Sequence, residues 1–308
     1  MTVTVPAAGL RRQGRTRSWV SARPMTAFLT LVFAVTGLLA VLPVPVMLDG
    51  PAENILGAAL PAVVVTGIAG GRPALRELAG RALRWRVRPR WYLLALVALP
   101  LALVVIAPAL YGTPPLRALG RNWPELVTSF LPLLVLMAVF DNVAEEVGWT
   151  GFLFDRLQRR HRPAAAALLT FAPFWVWHLV IFVDDTGSWL LGPAIAGLLL
   201  LPLLASRFVA GWLYNASGAS VPVVGLFHAT HNATVNPGGL AIGVLELPDV
   251  EVVYVAGGLV VLAAVGVVVA TRGRLGHRGT ARPGLSPVEI PRPGRAAGPV
   301  RRRRGSGR

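Results

Sequence analysis

Two adjacent carboxylates lie inside a strongly apolar stretch of this sequence. In VLMAVFDNVAEEVGWTGF (residues 135–152), Glu146 directly follows Glu145, and Asp141 precedes Glu145 by about one helical turn. A glutamate held in an apolar pocket can take a proton from water and act as a general base. Because consecutive helical residues point about 100° apart, we expect one glutamate to face a shared centre and the other to support it. Asp141 is interpreted as a supporting carboxylate.

Further polar side chains interrupt two later apolar stretches. His178 lies in the first of these, and His228, His231 and Asn232 lie in the second. His228 and Asn232 are four residues apart and therefore share one face of a helix. A histidine can orient a water or protonate a leaving amine, and an amide can donate to a developing oxyanion. With no cysteine in the chain and no evident Ser–His–Asp arrangement, these residues indicate hydrolysis by an activated water.

The surrounding composition is typical of a membrane protein. Of the 308 residues, 54% are hydrophobic and 14% are charged, whereas a soluble domain carries about 25% charged residues. A helix needs about 20 apolar residues to cross a hydrocarbon core of about 30 Å. Stretches of this kind predict an all-α, polytopic membrane protein with about eight transmembrane helices. They are residues 25–48, 53–70, 91–110, 124–155, 163–183, 189–210, 220–236 and 250–271.

The arginines indicate how these helices are oriented. All 30 basic residues are Arg, and 28 of them, including Arg207, are assigned to the side that holds both termini. Only Arg117 and Arg121 are assigned to the other side, where the acidic loop residues cluster. By the positive-inside rule, both termini are expected to be cytoplasmic. The three polar stretches then reach a common depth of roughly 15–25 Å from the cytoplasmic boundary, which predicts a single site.

Both ends of the chain differ in composition from its apolar centre. Residues 1–24 are interpreted as a basic cytoplasmic tail, residues 25–271 as the transmembrane domain, and residues 272–308 as a disordered cytoplasmic tail rich in Arg, Pro and Gly. Despite the net charge of +16, we expect these tails to contact anionic lipids and not nucleic acid. The lysine-free, Ala-, Gly- and Arg-rich composition indicates a multi-pass protein of a bacterial plasma membrane.

Three motifs in these stretches resemble those of the CPBP (CAAX protease and bacteriocin-processing, or Abi) intramembrane proteases. EEVGWTGF, FWVWH and HATHN follow the order of the family motifs Glu-Glu-x-x-x-Arg, Phe-x-x-x-His and His-x-x-x-Asn, within a similar region of about residues 72–236. The resemblance implies an eight-helix intramembrane endopeptidase that hydrolyses peptide bonds of membrane-associated proteins or peptides. The catalytic residues it implies are Glu145, which activates the water, Glu146, His178, His228 and Asn232, an oxyanion donor.

One motif position departs from the family pattern. Thr150 stands where the first motif has Arg, and no substitute Arg is evident inside a span. A buried Arg would offset the repulsion between the two glutamates, so we expect a carboxyl pair that shares a proton. Either activity persists with an altered pH dependence, or the chain is a non-catalytic relative that acts as a membrane immunity or scaffold protein.

Two other interpretations stay open at the level of sequence. A proton-coupled transporter also uses Asp, Glu and His in the bilayer, although the two halves lack matching Gly/Pro-broken spans. A zinc-dependent hydrolase would use Glu145, His178, His228 and His231 as ligands. The HExxH arrangement is absent, so a site without metal or other cofactor is favoured. The expected partner of the protease is a peptide or protein substrate at the membrane.

Overall fold

The computed structural model describes residues 14–41 and 53–277, and all regular structure in these two ranges is helical. The helices are α1 (Arg15–Ala22), α2 (Pro24–Leu39), α3 (Leu60–Ala82), α4 (Pro89–Tyr111), α5 (Pro114–Asn122), α6 (Leu126–Gln158), α7 (Pro163–Thr186), α8 (Leu191–Leu198), α9 (Leu200–Ala216), α10 (Val221–Val235) and α11 (Asp249–Thr271). Short π-helical segments at Glu53–Ala59 and Leu240–Val244 precede α3 and α11. The prediction of an all-α fold is confirmed.

Five of the described helices are long and apolar enough to cross a membrane: α3 with its preceding turn, α4, α6, α7 and α11. Two bent pairs, α1 with α2 and α8 with α9, raise the number to as many as seven spans. Helix α10 occupies the predicted stretch 220–236, but its 15 residues rise only about 22 Å. The polytopic membrane architecture is confirmed. The predicted tails beyond residues 14 and 277, and the end of the first span, lie outside the described residues.

Helix α6 carries both glutamates and runs for 33 residues. It includes a π-helical segment, Val147–Phe154, which begins directly after the glutamates. The helix continues through Gly148 and Gly151 without a break, and these glycines instead allow close packing. A Cβ on Gly148 would lie 2.7 Å from the carbonyl oxygen of Ala58, and one on Gly151 would lie 3.0 Å from Val221. The close approach that small residues permit in membrane helices is thus used twice beside the glutamates.

An aromatic cluster fixes α6 against α7 and α2. The indole of Trp149 packs against Phe174 and Trp177 of α7 and against Phe28 of α2. Trp177 donates from Nε1 to the hydroxyl of Thr36 at 2.8 Å, which also joins α7 to α2. Such contacts between large buried rings restrict how helices can slide, so α6 and α7 meet in one register.

Ion pairs join helices near both ends of the bundle. At the arginine-rich end, Arg81 of α3 lies 3.3 Å from Asp155 of α6. At the opposite end, the side chains of Asn122 and Arg121 donate to Glu246 at 2.8 Å and 2.7 Å. These two hydrogen bonds hold the pKa of Glu246 below its usual range. The ion pairs lie apart from the motif residues and serve to connect the helices.

Candidate functional site

A cavity of about 520 Å³ collects the polar side chains of the three motifs. The lining residues that the sequence singled out are Asp141, Glu145, His178, His228, His231 and Asn232. Glu146 does not line the cavity, and its side chain is fully buried behind it. Segments that are distant in the sequence, on α6, α7 and α10, therefore meet around one space large enough for part of a peptide.

Glu145 is oriented by a short chain of amides. The side chain of Asn142 donates to Oε2 of Glu145 at 3.3 Å, and the side chain of Asn232 donates to Oδ1 of Asn142 at 3.4 Å. Within the described ranges, no residue hydrogen-bonds to Oε1 of Glu145. The carboxylate thus has one oxygen held by protein and one that protein leaves unengaged. Since an amide nitrogen has two N–H donors, Asn232 also retains one.

Glu146 has protein partners for both of its oxygens. Oε1 accepts from Arg207 at 2.8 Å and from Nδ1 of His228 at 3.0 Å. Oε2 accepts from Arg207 at 3.2 Å and from the hydroxyl of Thr150. The two glutamates therefore differ as their 100° separation on a helix of about 3.6 residues per turn predicts, with one at the cavity and one supporting it. Glu146 holds His228 in place.

The oxygen atoms that face Nδ1 of His228 and of His178 define the tautomer of each ring. Nδ1 of His228 faces the Glu146 carboxylate, and Nδ1 of His178 lies 2.9 Å from the carbonyl oxygen of Phe174. Because these oxygens only accept, Nδ1 carries a proton in both rings and Nε2 is the nitrogen left for the cavity. The ring centroids of His178 and Phe174 are 4.2 Å apart, as their four-residue spacing predicts. His231 contacts Oδ1 of Asn232 at 3.3 Å.

The expectation that the glutamate pair lacks a cation is wrong. Arg207, which the sequence places among the cytoplasmic arginines, precedes the end of α9 at Ala216 by nine residues and is 3% exposed. Its guanidinium neutralises Glu146, so the carboxyl pair does not need to share a proton. Thr150 donates its hydroxyl to the same carboxylate. The signal in the sequence is an Arg inside an apolar span, which is costly unless it is paired.

Asn142 is a second site residue that sequence reasoning missed. It is 2% exposed and links Glu145 to Asn232 through both ends of its amide. Its position three residues before Glu145, on the same side of α6, was the available signal. The neighbouring Asp141 also lines the cavity, and none of the described residues bonds to its Oδ1.

The proposed zinc ligands are only partly brought together. Within the described ranges, ligand atoms of Glu145, Glu146 and His228 lie within 4.8 Å of one another, whereas His178 and His231 do not belong to this group. Both oxygens of Glu146 already accept from a guanidinium, and a second cation at that carboxylate would be repelled. The surroundings of Glu146 therefore fit a carboxylate neutralised by arginine better than they fit a zinc ligand.

Fold and site together define a helical membrane protein with a carboxylate–histidine–amide site enclosed between its spans. Residues 127–234 match the family model of the Rce1-like type II CAAX prenyl endopeptidases, which supports the resemblance of this segment to the CPBP (CAAX protease) family. A relative described as CAAX prenyl protease 2, from Methanococcus maripaludis, is 32% identical over 106 residues. The alignment covers 33% of this chain and 38% of the relative, so the chain matches less than half of that protein's length. All the motif residues lie within the matched segment.

Proposed function

We propose that this protein is an intramembrane endopeptidase that hydrolyses peptide bonds of membrane-associated proteins or peptides with a glutamate-activated water. The observation that carries the proposal is one cavity lined by Glu145 together with His178, His228 and Asn232, in which Oε1 of Glu145 has no hydrogen-bond partner among the described residues. The family match supports peptide-bond hydrolysis, and the name of the relative supports a prenylated C-terminal peptide as the first substrate to try. We also propose that the protein resides in a bacterial plasma membrane.

The reaction begins with proton transfer from water to Glu145. The water oxygen bonds to the scissile carbonyl carbon, and the resulting oxyanion accepts the remaining N–H of Asn232. The proton then passes from Glu145 to the leaving nitrogen, the C–N bond breaks, and a carboxylic acid and an amine form, which leave as carboxylate and ammonium after the acid transfers its proton to the amine. Because the site is enclosed by apolar helices, each of these electrostatic contacts is stronger than it would be in water.

The two histidines place the water and the substrate. Glu146 and the Phe174 carbonyl fix the rings of His228 and His178 through their Nδ1 protons. The Nε2 atoms then accept hydrogen bonds from the water or from the substrate amide. A ring held from behind in this way needs little reorganisation during the reaction, which is the main contribution of a preorganised site.

Substitution of Glu145 by Gln tests the proposal directly. The purified protein in lipid nanodiscs is given a fluorogenic peptide that carries a farnesylated cysteine and a C-terminal tripeptide. We expect Glu145→Gln to lower kcat by about 10²-fold or more, because the base is removed while side-chain volume is kept. The melting temperature should change little. Wild-type turnover by Glu145→Gln would contradict the proposed role of this residue.

The matched control is Glu125→Gln, which neutralises a carboxylate next to α6 and outside the cavity. This control should cleave like the wild type. If the farnesylated peptide is not cleaved by any form, a comparison of membrane-protein termini between cells that express wild type and Glu145→Gln searches for other substrates. Identical termini in the two cell lines would contradict the endopeptidase.

The same assay separates the metal-free and zinc-dependent versions of the mechanism. We expect cleavage to persist after dialysis against a chelator, because two of the four candidate zinc ligands, His178 and His231, do not join the group that contains Glu145 and His228 in the described ranges. Loss of cleavage on chelation, with recovery on adding zinc, would favour the zinc-dependent version.

A further inference from the structure

We infer that Arg207 supplies, from a different helix, the cation that the family motif places at position 150, and that it acts as a positioning residue for the site. This inference rests on the proposed function. In the family motif, the cation follows the glutamates on the same helix. In this chain, the motif position holds Thr150 on α6, and the cation reaches Glu146 from α9.

The geometry of the pair is that of a built ion pair. Two guanidinium nitrogens of Arg207 donate to the two oxygens of Glu146 at 2.8 Å and 3.2 Å, and the two side chains are 2% and 0% exposed. This two-point contact sets both the distance and the plane of the carboxylate, which a point charge would not do. His228 bonds to an oxygen of the same carboxylate, so its ring position follows from that of Arg207.

The guanidinium also supports the second histidine. Its central carbon lies 4.0 Å from the ring centroid of Phe174, a cation–π distance. The carbonyl oxygen of Phe174 accepts from His178, and the ring of Phe174 packs against the same imidazole. Arg207 thus contacts one neighbour of each histidine while remaining outside the cavity lining.

Thr150 complements Arg207 at the shared carboxylate. It lies one turn after Glu146 on α6, is 2% exposed, and donates its hydroxyl to the oxygen Oε2. Because Thr is short, it leaves room for a guanidinium that arrives from α9. Arginine at both positions would bring two cations to one carboxylate, whereas arginine at neither would leave a buried charge uncompensated. Positions 150 and 207 are therefore alternative sources of one cation.

The test exchanges the cation between the two positions. Arg207→Met should lower the melting temperature by several degrees and lower kcat on the farnesylated peptide by roughly 10- to 100-fold, with a smaller effect on KM. Adding Thr150→Arg to Arg207→Met should restore both quantities. Adding Glu146→Gln to Arg207→Met should restore the melting temperature alone, because the buried charge is gone but His228 loses its anionic partner.

Arg81→Met is the matched control, since Arg81 is another arginine buried against carboxylates and lies away from the cavity. It should lower the melting temperature and leave kcat unchanged. If Arg207→Met does not fold, Arg207→Lys replaces it: this variant keeps the charge, loses the two-point contact, and should show a lower kcat at unchanged KM.

The inference is overturned if Arg207→Met or Arg207→Lys retains wild-type kcat. It is also overturned if Thr150→Arg restores the melting temperature of Arg207→Met without restoring kcat, because the cation would then be structural only. If the wild type cleaves no substrate, the proposed endopeptidase fails separately. In that case the melting temperatures still decide whether positions 150 and 207 exchange the cation. Failure of Thr150→Arg to restore the melting temperature of Arg207→Met would refute the exchange.

Discussion

Glu145 and Glu146 are neighbours in the sequence, yet their surroundings assign them different tasks. Glu145 lines the cavity and has one buried oxygen without a hydrogen bond to the described residues, whereas Glu146 is fully engaged by Arg207, His228 and Thr150. Helical spacing is enough to predict that only one carboxylate reaches a shared centre. It cannot predict the partner of the other, because Arg207 is 61 residues away and the contact exists only after the helices pack.

Replacement of Asn142 tests whether its amide orients Glu145. Asn142→Leu removes the amide between Glu145 and Asn232, and we expect kcat to fall about tenfold with little change in KM. The control Asn215→Leu removes an amide that is only partly buried and that donates to the carbonyl of Leu275 at the arginine-rich end. Both variants should lose stability, but only Asn142→Leu should lose activity. Equal kcat values in the two variants would argue against the orienting role of Asn142.

At the scale of helices, the site depends on how closely α10 approaches α6. Hydropathy predicts both segments and their common depth, and the four-residue spacings predict which side chains share a face. The distance between the helices is not encoded in these patterns, since it is set by a contact of Gly225 with Val143. A Cβ on Gly225 would lie 2.6 Å from Cγ2 and 2.7 Å from Cα of that valine.

Substitution of this glycine should therefore displace the third motif. Gly225→Ala forces α10 away from α6 and lengthens the 3.0 Å contact between His228 and Glu146. We expect a destabilisation of about 1–3 kcal/mol in thermal unfolding and a lower kcat. Gly258→Ala on α11 serves as control, because a Cβ there meets nothing within 4 Å. A Gly225→Ala enzyme with normal kcat would show that this packing distance does not control the site.

At the scale of the whole molecule, the cavity extends from the glutamates toward only one end of the helices. From the level of the glutamates it extends to Asn54, Asp185 and Asn236, each near the end of its segment that is remote from the arginine-rich loops. The arginine distribution predicts the orientation of the bundle, but it contains no information about which end of the bundle is hollow. The arginine distribution and the position of the cavity together predict access to the site from the extracytoplasmic side.

Cysteine labelling tests this direction in a chain that has no native cysteine. In intact cells, a membrane-impermeant maleimide should label Asn236→Cys and should label Leu83→Cys only after permeabilisation. Leu83 is suited to this purpose because it is 73% exposed on the arginine-rich loop. The reverse labelling pattern would show that the cavity faces the cytoplasm.

The order of Glu146 and Arg207 along the chain has a consequence for biogenesis. Each side chain alone places a charge within the bilayer, at a cost of roughly 2.5–3.5 kcal/mol on insertion scales. The two become a neutral pair only when α9 joins α6, and 61 residues separate them. At about 5–20 residues per second, a ribosome needs roughly 3–12 s for that length. During this interval the carboxylate of Glu146 lacks its cation. We therefore expect membrane quality control to recognise chains that are truncated before α9.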